Sequence, residues 1–216
     1  MSCAICEKRK EKRFCPAIHG RICPQCCGES REVTLDCPME CPYLRQAREH
    51  EKARPLQDLD QSALFPHVNI GEQFLYEQEH LLLGLTFALA KSARSDRSIK
   101  DADLIAAFTT LARTYETLAN SGLFYAPPIT GLSQQNVVSE LQSMVKEYRE
   151  AAQKYTGQTQ LRDADVLRAL VFLIRMAQAR TNGRPKSRAF VDVLFAQFPE
   201  KPSIATAEEV GRRILL

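Results

Sequence analysis

The sequence predicts a mainly α protein with a small cysteine-rich module at its N-terminus, and three observations predict it. All eight cysteines fall within the first 41 of 216 residues. From Ile70 onward, apolar residues recur with a helical period. Within that helical region a single pattern occurs twice, 62 residues apart: Ile99-Lys100-Asp101-Ala102-Asp103-Leu104 and Leu161-Arg162-Asp163-Ala164-Asp165-Val166. These features divide the chain into a finger over residues 1–54, a linker over 55–68 and a duplicated helical bundle over 69–216.

The cysteines set the class of the first segment. Cys3-x2-Cys6-x16-Cys23-x2-Cys26 has the spacing of a structural four-cysteine zinc site. Each C-x2-C turn brings two sulfurs to about 2.3 Å from one ion, and Zn2+ accepts the tetrahedron the backbone offers. Cys15, Cys27, Cys37 and Cys41 interleave with this set. A second zinc site is thus expected to be braided with the first, as a cross-brace, and two zinc ions are the expected cofactors. Cys15-x3-His19 mirrors Cys37-x3-Cys41, so His19 is the alternative to Cys27 as a ligand; soft thiolates favour Cys27.

In ligand order this motif resembles the two-zinc cross-brace fingers of the RING, B-box, MYND and HIT types, over residues 1–50. The adjacency of Cys26 and Cys27 is not something those families require. The resemblance implies a protein-binding finger. It does not extend to transfer of ubiquitin-like groups, because fold analogy does not carry chemistry.

A disulfide framework is the competing use of eight cysteines and requires an oxidising compartment. The chain runs from Met1-Ser2-Cys3 straight into ligands and then into Lys8-Arg9-Lys10, with no apolar signal stretch. A cytoplasmic zinc module is therefore expected. So short a segment, with few large apolar side chains, builds no sufficient core, whereas a structural zinc supplies on the order of 10 kcal/mol.

Charge narrows the partners. The net charge of +3 lies entirely in residues 1–55, where eleven Lys and Arg oppose eight Asp and Glu. Eight thiolates with two zinc ions would bring that segment to about −1, so general polyanion affinity is not expected. What remains is local. Lys8, Arg9, Lys10, Lys12 and Arg13 lie between Cys6 and Cys15, and Arg184, Lys186 and Arg188 form a second basic loop. Each is either a solvated loop or an anion contact. If both faced one way they would bind nucleic acid.

A closing helix is expected over Pro42 to Arg54, ended by Pro55. The bundle is expected to use helices over Ile70 to Ser92, the Asp101 start to Asn120, Gln134 to Tyr155, the Asp163 start to Asn182, Ser187 to Phe198 and Thr206 to Leu216. The unit is read as a two-helix hairpin used twice, over about 70–122 and 134–184, each copy ending in Asn and Gly suited to a left-handed cap. Leu104, Phe108, Leu111, Tyr115 and Leu118 make the apolar stripe of one repeated helix, and Val166, Leu170, Leu173, Ile174 and Ala177 that of the other. Arg113 and Arg175 share a repeat position. The longest apolar stretch, Leu81 to Ala90, is too short to cross a bilayer, so no membrane partner is expected.

Catalytic patterns are missing from the sequence. Glu77-x-x-His80 is a lone instance of the motif that dimetal bundles use in pairs, and His80 is expected to be partly buried. No cysteine lies outside the finger, and there is no G-x-S-x-G elbow or glycine-rich phosphate loop. The finger shows no apolar helix or aromatic cluster that would mark a partner surface. The loop Gly122-Leu123-Phe124-Tyr125-Ala126-Pro127-Pro128-Ile129 is unusually apolar. It either folds back over the bundle end or, through Phe124 and Tyr125, offers a partner-binding face. The expectation is a zinc-binding, non-enzymatic interaction or adaptor protein with an unidentified protein partner; nucleic-acid binding through loops 8–13 and 184–188 is the alternative.

Overall fold

A computed structural model describes residues 2–156 and 161–199; the helix expected over Thr206 to Leu216 lies outside them. The finger contains an antiparallel hairpin of β1 (Arg13–Cys15) and β2 (Gly20–Ile22), then α1 (Pro24–Ser30) and α2 (Pro42–His50). Both helices begin with a cysteine as N-cap and a proline in the first turn, where the missing N–H costs nothing and the fixed φ suits a helix. The bundle contains α3 (Glu72–Glu77), α4 (Glu79–Ser95), α5 (Asp101–Ser121), α6 (Leu132–Thr156), α7 (Asp163–Arg180) and α8 (Ala189–Gln197). No helix among the described residues is long and apolar enough to cross a membrane.

The two repeated patterns start helices in the same way. The Asp103 carboxylate accepts the Lys100 backbone N–H at the head of α5, and Asp165 accepts that of Arg162 at the head of α7. Each satisfies a backbone donor and places negative charge at the positive end of the helix dipole. The ends differ. Gly122 caps α5 at φ 70°, in the left-handed region that favours glycine. By contrast α7 stops at Arg180 with Thr181 extended, because Asn182 turns away to donate to Glu32 and Glu51; Gly183 takes its positive φ further on, in the loop.

The expected hairpin is not the packing unit. Among the described residues the closest backbone approaches are of α5 along α7 and α4 along α6, with α6 also against α5, rather than of α4 with α5 or α6 with α7. The two helices that begin with the repeated sequence pattern, α5 and α7, thus lie on each other. The α5 and α7 stripes face a shared core, in which Phe108, Leu111, Leu170 and Leu173 are fully or almost fully buried. Ala107 and Ala169, one at the same place in each helix, are fully buried too. Gly84 of α4 lies where Met144 of α6 fills the space a Cβ would take, which explains a glycine inside a helix.

Two further expectations are corrected. The helix over Ile70 to Ser92 is broken at Gln78 into α3 and α4. The linker is not a free connection: it forms short 3-10 turns at Leu56–Asp58 and Gln61–Leu64, and buries Leu59, Leu64, Phe65 and Val68. Arg175 holds it, its Nε donating to the Leu64 carbonyl at 3.0 Å and its Nη2 to those of Phe65 and Val68 at 2.7 and 2.9 Å. Arg113, its repeat counterpart, is exposed. His80 is exposed as well, not partly buried.

Candidate metal centre

Main-chain bonds fix the C-x2-C turn at Cys3 and Cys6: Ala4 N–H donates to the carbonyl of Arg21 on β2, and Cys3 N–H to that of Arg9 in the loop before β1. This places it beside the start of α1, which carries Cys23 at its N-cap and Cys26 in its first turn. The sulfurs of Cys3, Cys6, Cys23 and Cys26 all lie within 4.8 Å of one another. Four thiols so close, with Cys3, Cys23 and Cys26 buried, can hold a metal ion, and their donor set suits zinc.

Backbone donors prepare the sulfurs for charge. Cys23 N–H donates to Cys3 Sγ at 3.2 Å, and Cys26 N–H to Cys23 Sγ at 3.4 Å. Burial pushes the Cys3 thiol up, but the N–H groups of Cys6, Cys23 and Ile5 outweigh it and bring it down to about 6. The Cys26 N–H likewise lowers Cys23. Cys26 itself is pushed up to about 12, by burial first and then by the facing thiols of Cys23, Cys6 and Cys3. The cluster cannot carry four negative charges unaided, and a divalent cation is the compensation such a site takes. Arg9 supplies a partial one, its Nη1 reaching Cys23 Sγ at 3.6 Å and Cys26 Sγ at 3.8 Å.

Cys26 and Cys27 are neighbours on α1, and consecutive helical residues point about 100° apart. Cys27 accordingly leaves the first cluster and lines a small cavity with Cys15, Cys37 and Cys41, although among the described residues only the first four cysteines bring their sulfurs within 4.8 Å of one another. Burial pushes the Cys37 thiol up, and Cys41 and Cys15 add to the shift, so these sulfurs sense one another. His19 is exposed at φ 50° in the turn between β1 and β2.

The basic candidates have diverse surroundings. Lys8, Lys10 and Lys12 are exposed, whereas Arg13 stacks over the Tyr43 ring at 4.5 Å. Arg184 Nη1 donates to the carbonyls of Gly28 and Arg31 at 3.1 and 2.5 Å, and Lys186 Nζ to that of Thr34 at 2.6 Å. Arg188 donates to the carbonyls of Ala93 and Arg97 at the end of α4. This second loop is neither a solvated turn nor an open anion cradle; two of its cations grip the finger.

Sequence reasoning missed the residue at the centre of that grip. Glu32, only 1 % exposed, follows α1 at φ 52°, a conformation that costs a non-glycine residue about 1–2 kcal/mol. Its carboxylate accepts Arg48 Nη2 at 2.6 Å, Asn182 Nδ2 at 2.8 Å and Arg188 N–H at 3.3 Å, while its carbonyl accepts Lys186 N–H at 2.8 Å. Arg48, from α2, also pairs with Asp192 of α8. Lys100 reaches Asp36 at 2.6 Å. Finger and bundle are therefore one docked body.

The apolar loop does not fold back. Leu123, Phe124 and Tyr125 are 68, 68 and 57 % exposed. The finger also exposes Phe14 at 53 % on its hairpin, an aromatic residue that no sequence pattern places outside.

The fold and site together define a class: a thiol-cluster finger docked on a helical bundle. Comparison with models of protein families, with curated proteins and with solved structures finds no match.

Proposed function

We propose that the protein is a zinc-stabilised, non-enzymatic interaction module working in a reducing compartment, the cytoplasm. The observation that carries this reading is the convergence of Cys3, Cys6, Cys23 and Cys26. Four protein thiolates fill a tetrahedral ion and leave no position for water or substrate, which is the mark of a structural rather than a catalytic site. A second zinc, held by Cys15, Cys27, Cys37 and Cys41, belongs to the same reading and is supported by the small cavity that these four residues line together. Partner binding is supported by the adjacent exposed side chains of Leu123, Phe124 and Tyr125, because a soluble monomer rarely leaves contiguous apolar surface uncovered.

Native mass spectrometry of protein purified gently from its own host tests both the metal and the partner. Two zinc ions and a co-purifying protein are expected, with the partner lost and the zinc kept in the double variant F124S/Y125S. One zinc or none overturns the cross-brace, and an unchanged partner overturns the loop. Cys27→Ser should lose one ion; retention of both would move the eighth ligand to His19. The nucleic-acid alternative keeps Lys8, Lys10 and Lys12 as exposed cations, and a steep salt dependence of RNA or DNA binding would favour it.

A further inference from the structure

We propose that a groove beside α7 binds an amphiphilic carboxylate, a medium-chain fatty acid, with the alkyl chain along the groove and the carboxylate on Arg175. The groove is lined by Leu56, Ile70, Leu75, Phe172 and Met176, with Arg175 in the same wall. Its volume of about 360 Å3 lies near the lower end of the roughly 300–1,000 Å3 that small-molecule sites occupy. An apolar trough with a single cation in its wall is matched to an apolar anion.

The charge of Arg175 is what selects the ligand. Its Nε and Nη2 donate to three main-chain carbonyls, which are neutral, and no carboxylate among the described residues pairs with it. Nη1 has no hydrogen-bond partner among the described residues. Burial alone perturbs this guanidinium, lowering it below its ordinary value, with no nearby anion to raise it. A partly buried cation fixed by three bonds is already oriented, so a carboxylate gains a charge-assisted bond without ordering the side chain first. Leu56, 43 % exposed, lines the groove from the linker, the same segment that Arg175 fastens.

Isothermal titration calorimetry of the intact, zinc-replete protein with hexanoate, octanoate, decanoate and decanol tests the assignment. The expected result is one saturable site that tightens about threefold to fourfold for each methylene buried and binds decanol at least tenfold more weakly than decanoate. Leu56→Glu, which sets a negative charge at an already exposed position, should abolish decanoate binding without changing the melting temperature. Arg175→Gln should erase the preference for decanoate over decanol; if that variant fails to fold, Leu56→Glu carries the test. Absence of saturation, equal affinity for decanol, or binding undisturbed by Leu56→Glu would overturn the proposal. Tighter binding of a short peptide ending in leucine than of decanoate would also overturn it, in favour of a protein C-terminus.

Discussion

Burial in the finger and burial in the bundle are built from different materials. The bundle hides leucine, alanine, valine and phenylalanine from α4 to α8, with Leu81, Leu85, Leu104, Phe108 and Leu170 fully buried. The finger's buried cluster is mostly sulfur: Cys3, Cys15, Cys23, Cys26 and Cys27 with Ile22 and Leu35. Apolar side chains stabilise by leaving water, at about 25 cal/mol per Å2. Thiols contribute little that way, and on the proposed reading their worth depends on an ion. The two halves should therefore fail under different insults, although Glu32 and Arg48 tie them together.

Metal removal should separate them most sharply. A strong zinc chelator is expected to abolish amide exchange protection across α1, α2 and the hairpin, with a loss on the order of 10 kcal/mol, while α5 and α7 keep theirs. A finger that stays protected without metal would break the comparison. Next in size is Glu32→Ala, which leaves the half-buried Arg48 with Asp192 alone and Asn182 with only its longer bond to Glu51. Breaking such a buried pair costs about 3–5 kcal/mol, read as a lower denaturant midpoint with the zinc content unchanged. Loss of zinc as well would mean that the dock also shapes the thiol sites.

The two repeated helix starts offer a finer contrast. Asp101 is buried and accepts Ser187 Oγ at 2.7 Å and the N–H groups of Phe190 and Val191 at the head of α8. Its counterpart in the repeated pattern, Asp163, accepts among the described residues only the partly exposed Arg149, at 2.7 Å. Asp101→Ala should cost about 1.5–3 kcal/mol and Asp163→Ala no more than about 1 kcal/mol, compared by urea denaturation. Gly122→Ala follows, at about 1–2 kcal/mol from the left-handed backbone alone. Smallest of all, F124S/Y125S should leave the midpoint within about 0.5 kcal/mol, since those side chains touch water.

How much of this could be read in advance follows from how far apart the partners lie. The first thiol cluster was legible because its spacing is local to two turns, and the starts of α5 and α7 were legible because their aspartates act within three residues. Glu32, by contrast, binds Arg48 across 16 residues and Asn182 across 150; no local pattern marks such a pair. The loop around Arg184 and Lys186 resembled an anion site because it displays donors. Its acceptors proved to be the main-chain carbonyls of Gly28, Arg31 and Thr34, and every sequence has carbonyls everywhere. The apolar character of Leu123 to Tyr125 was visible, but its exposure depended on how α5 and α6 end, which periodicity does not fix.

The Glu32 junction bears on how such a chain can change over generations. A finger joined to its neighbour by a flexible tether can be shuffled onto other bodies by recombination in the tether. Here a crossover at residue 54 would separate Glu32 and Arg48 from Asn182, Arg188 and Asp192 in one event, leaving a buried acid on one fragment and its complement on the other. The two halves are thus expected to be inherited as a unit, and to vary together.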